Sequence, residues 1–192
     1  MKTRVYDFSL KMHENDHYKI MLAMYNQLLE AQLRAWGGLS RCQDELIEDG
    51  AITPQERFVN SQAIYDGTIL RITIGDVLPR IPKGSKIPAA IMHRYWNELI
   101  TDAVCQLETP IHFEQAVCAI KVYARTAEQW DVDNKALNYA INALRVNGVI
   151  SGDEYYKLSL VLLGGHDRER PRTEIWLREY SEPAMNGLFP GI

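Results

Sequence analysis

The segment WDVDNKALNYAINALRVNGVISGDEYY, residues 130–156, sets Asp131 and Asp133 one residue apart and Asp153 twenty residues after the second. At the end of a strand, side chains two apart point to the same side. A carboxylate pair aimed one way is costly unless a cation, solvent or a donor offsets its repulsion. A helix over 134–146 would carry the chain roughly 20 Å away at 1.5 Å per residue, and Asn147–Gly148 would turn it. Residues 148–153, if extended, cover about 20 Å in return. The spacing thus allows Asp131, Asp133 and Asp153 to converge at the C-terminal edge of a strand, where ligand sites of open α/β sheets lie. An all-oxygen site suits Mg²⁺ or Mn²⁺, and the reaction it favours is metal-assisted phosphodiester hydrolysis. The same residues also read as a strand-end acidic pair, with Asp133 capping the helix and Asp153 in a turn. Spacing alone leaves both readings open.

Basic residues gather in two stretches that read as loops. Arg80, Lys83 and Lys86 surround Gly84 and Ser85, and Arg168, Arg170 and Arg172 punctuate GGHDRERPR. Such loops suit a nucleic-acid backbone, by charge and by amide donors, although basic loop residues are more often simply solvated. Tyr155 and Tyr156 could stack on bases or belong to the sheet. A second motif, HENDH at 13–17, matches the H-E-x-x-H zinc pattern. That chemistry needs both histidines on a stable helix with a third ligand. Asn15 and Asp16 are weak helix formers, the apolar period starts only after them, and no third ligand stands at a suitable spacing. The stretch reads as a polar helix start.

The elements that must position these residues follow from periodicity. From about His17 to Trp36, Met21, Met24, Tyr25, Leu28 and Ala31 mark one helix face, and the glycines of WGGLS read as its stop. TPQERFVNSQAIYDG reads as a second helix, capped by Thr53 and ended by Gly67. After Gly67, TILRITIGD alternates like a half-buried strand. A helix follows over about 88–107, then a strand in AVCAIKVYAR, a helix over 134–146, and two strands in YYKLSLVLL and TEIWLRE expected to form a hairpin. The order predicts an α/β (α+β) fold, a small mixed β-sheet with two helices behind an N-terminal helical extension. The expected divisions are 1–66 for the extension, 67–180 for the main domain and 181–192 for a tail.

Bulk properties narrow the classes. The chain has 192 residues and a net charge of −4, which argues against a protein that coats nucleic acid non-specifically. No apolar run approaches a membrane span, and no leader pattern is visible at the N-terminus. Three widely spaced cysteines show neither metal-ligand nor disulfide spacing, so a reducing, cytoplasmic setting is expected.

Residues 130–179 resemble the RusA-like Holliday junction resolvases, through DVDN at 131–134, NALRVNG at 142–148 and GD at 152–153. The stretch ITIGDVLPRIPKGSK and the helix containing Trp96 are similar as well, so the likeness spans about 67–180. It implies a small dimeric Mg²⁺-dependent endonuclease, of a kind often carried by prophages, that resolves branched DNA during recombination and repair. It also implies that Asp131, Asp133 and Asp153 are the catalytic metal ligands, with Asn134 ordering the turn. The chain departs from the pattern at three positions: Leu137 stands where the family has its catalytic Lys, Gly152 replaces the first Asp of an Asp-Asp pair, and Asn142 replaces another Asp. Lys135 lies two residues earlier, about 200° round the helix, and joins the basic residues expected to face nucleic acid. With Leu137 in place of Lys, junction binding with weak or no cleavage is the alternative activity.

Overall fold

The computed structural model describes residues 8–52, 59–79, 89–126 and 136–181. A long helix, α1 (Phe8–Glu48), precedes a hairpin of β1 (Ser61–Tyr65) and β2 (Ile69–Ile74). Then follow α2 (Ala89–Val104), β3 (Ala116–Ala124), α3 (Leu137–Val146), β4 (Leu158–His166) and β5 (Arg172–Glu179). The strands form one mixed sheet in the order β1-β2-β5-β3-β4, with β3 and β4 parallel and the other pairs antiparallel. The chain is thus an α/β protein, as its alternation of strand and helix patterns predicts.

Period-two alternation builds the core. Leu70, Ile72 and Ile74 of β2, Ile175 and Leu177 of β5, and Cys118, Ile120 and Val122 of β3 turn one way. They meet Met92, Trp96, Leu99, Ile100 and Ala103 of α2 and Ala140, Ile141 and Leu144 of α3. Val117, Ala119 and Trp176 form a smaller cluster on the opposite side of the sheet, with the Arg71 guanidinium 3.7 Å from the Trp176 ring centre. β3 is therefore apolar on both faces, as a central strand must be. Asn147 fastens α3 to α2: its side chain bonds Thr101 at 2.8 Å and Asn97 at 3.1 Å. Gly148 then turns the chain with φ 69°, a conformation that favours glycine.

Four expectations need correction. The WGGLS glycines do not stop α1, which runs through them to Glu48. Leu33 before them and Gln43 after them are both buried, and such packing outweighs two weak helix formers. The polar helix start expected at 13–17 is likewise interior to α1. Thr53, Pro54 and the rest of 53–58 lie outside the described residues, but SQAIY is a strand and not the end of a helix. Gly67 sits with Asp66 in the hairpin turn, at φ 93°, and Asp66 Oδ1 accepts from the amides of Thr68 and Ile69. The division placed between 66 and 67 consequently falls inside a hairpin. Finally, β4 and β5 are not a hairpin, because β3 lies between them. The loop joining them steps over the end of β3, where the Asp167 amide donates to the Ala124 carbonyl at 2.9 Å.

A carboxylate that the sequence did not single out ties the parts together. Asp76, just past β2, accepts from Gln32 of α1 at 3.1 Å, from Asn60 at 3.1 Å and from the Tyr95 hydroxyl of α2. Its carbonyl accepts from Thr173 of β5 at 2.8 Å. Burial, and then the Asp76 charge, push the Tyr95 phenol well above its ordinary range, so it remains a donor. Among the described residues no helix is long and apolar enough to cross a membrane. All three cysteines are free, and burial raises the Cys118 thiol to about 12.

Two stability measurements follow. A Cβ on Gly37 or Gly38 would meet nothing within 4 Å, so Gly38→Ala should stabilise the protein by about 0.5–1 kcal/mol in denaturant unfolding. A loss of stability would mean that α1 is broken there in solution. Asp76→Ala should cost about 1–3 kcal/mol, because it strands three donors. A neutral result in the same titration would remove Asp76 as a tie.

Candidate functional site at one end of the sheet

β2 and β3 run in the same direction, since each is antiparallel to β5, and their C-terminal ends meet through Thr173, opposite both Ile74 and Val122. Three connections therefore leave or cross the sheet at one end. The chain leaves β3 at Ala124 toward Asp131 and Asp133, and re-emerges at Ala136, whose amide donates to the Pro79 carbonyl at 3.0 Å. Pro79 is the last described residue before the Arg80–Lys86 stretch. The β4–β5 loop crosses at the same end, and a His166 ring nitrogen bonds the Arg125 carbonyl at 3.0 Å. The described residues on both sides of the acidic motif, the residue before one basic stretch and the loop carrying the other are thus at one end of the sheet, tied by two backbone bonds and the His166 side chain.

The sequence-predicted site residues divide as follows. Asp131, Asp133, Asn134, Lys135, Arg80, Lys83 and Lys86 lie outside the described residues. Arg168 and Arg170 are exposed on the β4–β5 loop. Arg172, expected to face nucleic acid, is held internally: it bonds Asp167 at 2.6 Å and Glu174 at 2.7 Å, and its guanidinium lies 3.7 Å from the Tyr123 ring centre. Asp167 organises this loop by accepting from the amides of Glu169 and Arg170 at 3.1 and 2.9 Å. The Arg170 amide, followed by Arg172, holds its carboxyl below the usual aspartate value.

Asp153 does not return as expected. Residues 149–151 run beside Phe113, and β4 starts at Leu158 opposite Ala116, the first residue of β3. Asp153 precedes that start, so it belongs to the end where β3 begins, whereas the chain departs for Asp131 and Asp133 from the end where β3 finishes. The nine-residue β3 separates these ends by roughly 26 Å. The returning segment is β4 itself, and Asp153 lies before it. Asp153 is exposed, as are Tyr155 and Tyr156, which contact each other edge-on outside the sheet. The N-cap of α3 is Ala136, without a side-chain cap, and Asp133 lies outside the described residues. Leu137 is half-buried against the main core, which makes it a packing residue at the first position of α3.

Among the described residues no group of three or more His, Cys, Asp or Glu side chains could hold a metal ion. Asp131 and Asp133 lie outside the described residues. A cavity of about 440 Å³ opens at the opposite end of the sheet, beside Tyr65, His112 and Arg178. There His112 bonds the Gly148 carbonyl at 2.7 Å and Glu114 at 3.3 Å, contacts that raise its pKa.

No family model matches the chain, and neither does any curated protein. Among solved structures, the crystal structure of the periplasmic domain of MotB (residues 64–256) is 9% identical with a TM-score of 0.32, covering 78% of this chain and 93% of that one. The periplasmic domain of Helicobacter pylori MotB (residues 90–256) is 9% identical with a TM-score of 0.30, covering 69% and 99%. Likeness at this level carries no argument about fold or activity.

The depressed Asp167 pKa gives the β4–β5 loop a pH signature. Stabilisation by a carboxylate whose folded pKa lies below its ordinary 3.8 is fully present above that value and lost as pH falls through the folded pKa. Hydrogen exchange should find the Arg170 amide protected at mildly acidic pH, and exposed below the ordinary aspartate range or in Asp167→Ala at any pH. Equal protection in wild type and Asp167→Ala would exclude the carboxylate as the organiser.

Proposed function

We propose that the chain acts on branched DNA as a Mg²⁺-dependent endonuclease of the RusA-like kind, working at the sheet end where β3 finishes. The observation that carries this reading is the set of bonds Ala136–Pro79, Asp167–Ala124 and His166–Arg125, which brings the residues flanking DVDN, the residue before the Arg80–Lys86 stretch and the loop of Arg168 and Arg170 to one edge. Asp131 and Asp133 are the carboxylates assigned to the ion, in place of the full trio with Asp153. When bound there, a divalent cation supplies an activated water and neutralises charge on the phosphorus. The chain's own part is positioning. Arg168 and Arg170 project from a loop that Asp167 stiffens, and such cations set a phosphate backbone without reading sequence. Arg80, Lys83, Lys86 and Lys135 are assigned the same task from their place in the sequence.

A second reading, junction binding with little or no cleavage, is favoured by Leu137. Its packing against the core leaves the family's catalytic Lys position without a cation.

A four-way DNA junction incubated with the protein distinguishes these readings. The first expects cleavage in Mg²⁺ or Mn²⁺ that Asp131→Asn abolishes, while Asp153→Asn keeps at least about a tenth of the rate. Binding that weakens steeply with salt, without cleavage at any concentration of either ion, supports the second. Robust cutting by Asp131→Asn, or absence of any junction binding, would sink the assignment.

A further inference from the structure

At the end of the sheet where β3 begins, three segments enclose the cavity of about 440 Å³: the β1–β2 turn, residues 110–113 ahead of β3, and the exit of β5. Its volume lies within the roughly 300–1,000 Å³ of small-molecule sites. The turn contributes the Thr68 hydroxyl, and the exit of β5 contributes the Arg178 guanidinium and the Ser181 hydroxyl. Against these stands one carboxylate, Glu179, whose Oε1 accepts from the Gln115 amide at 3.4 Å. A second cavity, of about 310 Å³, shares Pro110, Ile111 and His112 with the first, and its other walls include Val104, Leu107 and Val149. One strip of chain therefore borders a charged basin and an apolar one. His112 stands in that strip. Its Nδ1 donates to the Gly148 carbonyl at 2.7 Å, so the neutral ring keeps its proton there and Nε2 is the atom that gains one. Nε2 meets only Glu114, at 3.3 Å, and the Glu114 side chain is 75% exposed.

We propose that the two cavities form one site for an amphiphilic organic monoanion, its oxyanion head taken by Arg178 and His112 and its apolar body by Ile111, Leu107 and Val149. A guanidinium matches the two oxygens of an oxyanion with parallel hydrogen bonds, and the Thr68 and Ser181 hydroxyls complete the shell of the head. The charges select a single negative charge. Arg178 and protonated His112 against Glu179 leave one net positive charge, which a monoanion neutralises. A dianion would bring surplus charge up to Glu179, and a neutral amphiphile would gain nothing from the cations. The groups around His112 are Glu114 two residues on, Arg178 and Glu179 of β5, Tyr65 of β1 and Cys105 after α2. The Gly148 carbonyl, then Glu114, and more weakly Glu179 raise its pKa above the ordinary 6.5, so the ring carries its charge closer to neutral pH. The site lies at the opposite end of the sheet from the edge assigned to DNA and is independent of that reading.

The test is calorimetric titration of the full chain with octanoate, in a Cys105→Ser background that removes the thiol of the second cavity. Octanoate should bind at one site, at least about tenfold more tightly than acetate, which lacks the body, or octanol, which lacks the charge. Arg178→Gln should weaken octanoate by at least about tenfold, the effect of losing a hydrogen bond to a charged group. Arg178 is half-buried in β5, so Thr68→Asp is the second variant. Thr68 is exposed in the turn, and a carboxylate there should abolish octanoate binding while leaving the circular dichroism unchanged. The imidazolium is present below the folded His112 pKa and lost above it. Octanoate should therefore bind more tightly at about pH 6 than at about pH 8, and His112→Gln should flatten that difference. Several results would overturn the proposal: no octanoate binding at millimolar concentration, equal binding of octanol or acetate, indifference to Thr68→Asp, or a flat pH profile in the unsubstituted His112 protein. None of these readouts involves DNA, so failure here is distinguishable from failure of the nuclease reading.

Discussion

The organisation of the molecule depends on the placement of β5 between β2 and β3. β5 is antiparallel to both, over six residue pairs with β2 and eight with β3. Without it the β1–β2 hairpin and the β3–α3–β4 unit would be separate pieces, neither with a closed core. With it, Leu70, Ile72 and Ile74 share one apolar face with Ile120 and Val122, wide enough for α2 and α3 to cover together. Thr173, the buried hydroxyl near the start of β5, bonds the Leu78 amide at 3.0 Å and the Asp76 carbonyl. It fixes where the chain leaves β2, and so where the Arg80–Lys86 stretch departs.

The same constraint explains why Arg168 and Arg170 lie at the end where β3 finishes and Asp153 at the other. A parallel pair needs a crossover that returns the chain to the starting end. The residue after β3 and the residue before β4 are therefore at opposite ends by topology. The antiparallel β5 does the reverse: the short loop leading into it must cross the C-terminal end of β3. That crossing brings Arg168 and Arg170 to the edge where the chain departs toward Asp131 and Asp133. It also commits Arg172 to Asp167, Glu174 and Tyr123, so three arginines spaced alike in the sequence take different roles.

Much of this was legible in the chain itself. Leu70, Ile72 and Ile74 announce β2, the face from Met92 to Ala103 announces α2, and the turn at Asn147–Gly148 falls where the pattern puts it. The misses share a cause. The Gly37–Gly38 pair is a poor helix stretch locally, yet burial on either side carries α1 through it. SQAIY looked helical because its neighbours did, and only pairing with β2 makes it a strand. Adjacency in sequence suggests a β4–β5 hairpin but is silent about a third strand inserted between two others. Asp76 gave no signal, since a single carboxylate after a strand acquires meaning only from the partners that converge on it.

The sequence by itself determined the elements: which residues alternate, which lie on one helix face, and which turns need glycine. These are local properties, set by side-chain period and backbone sterics, and the acidic and basic motifs are legible for the same reason. Tertiary structure decided the strand order and, with it, which motifs meet. The direction of β3 relative to β4 separates Asp153 from the end where β3 finishes, and the insertion of β5 brings Arg168 and Arg170 to that end. Strand order is a non-local choice, made by the closing of a common apolar core, and no spacing within residues 130–156 contains it.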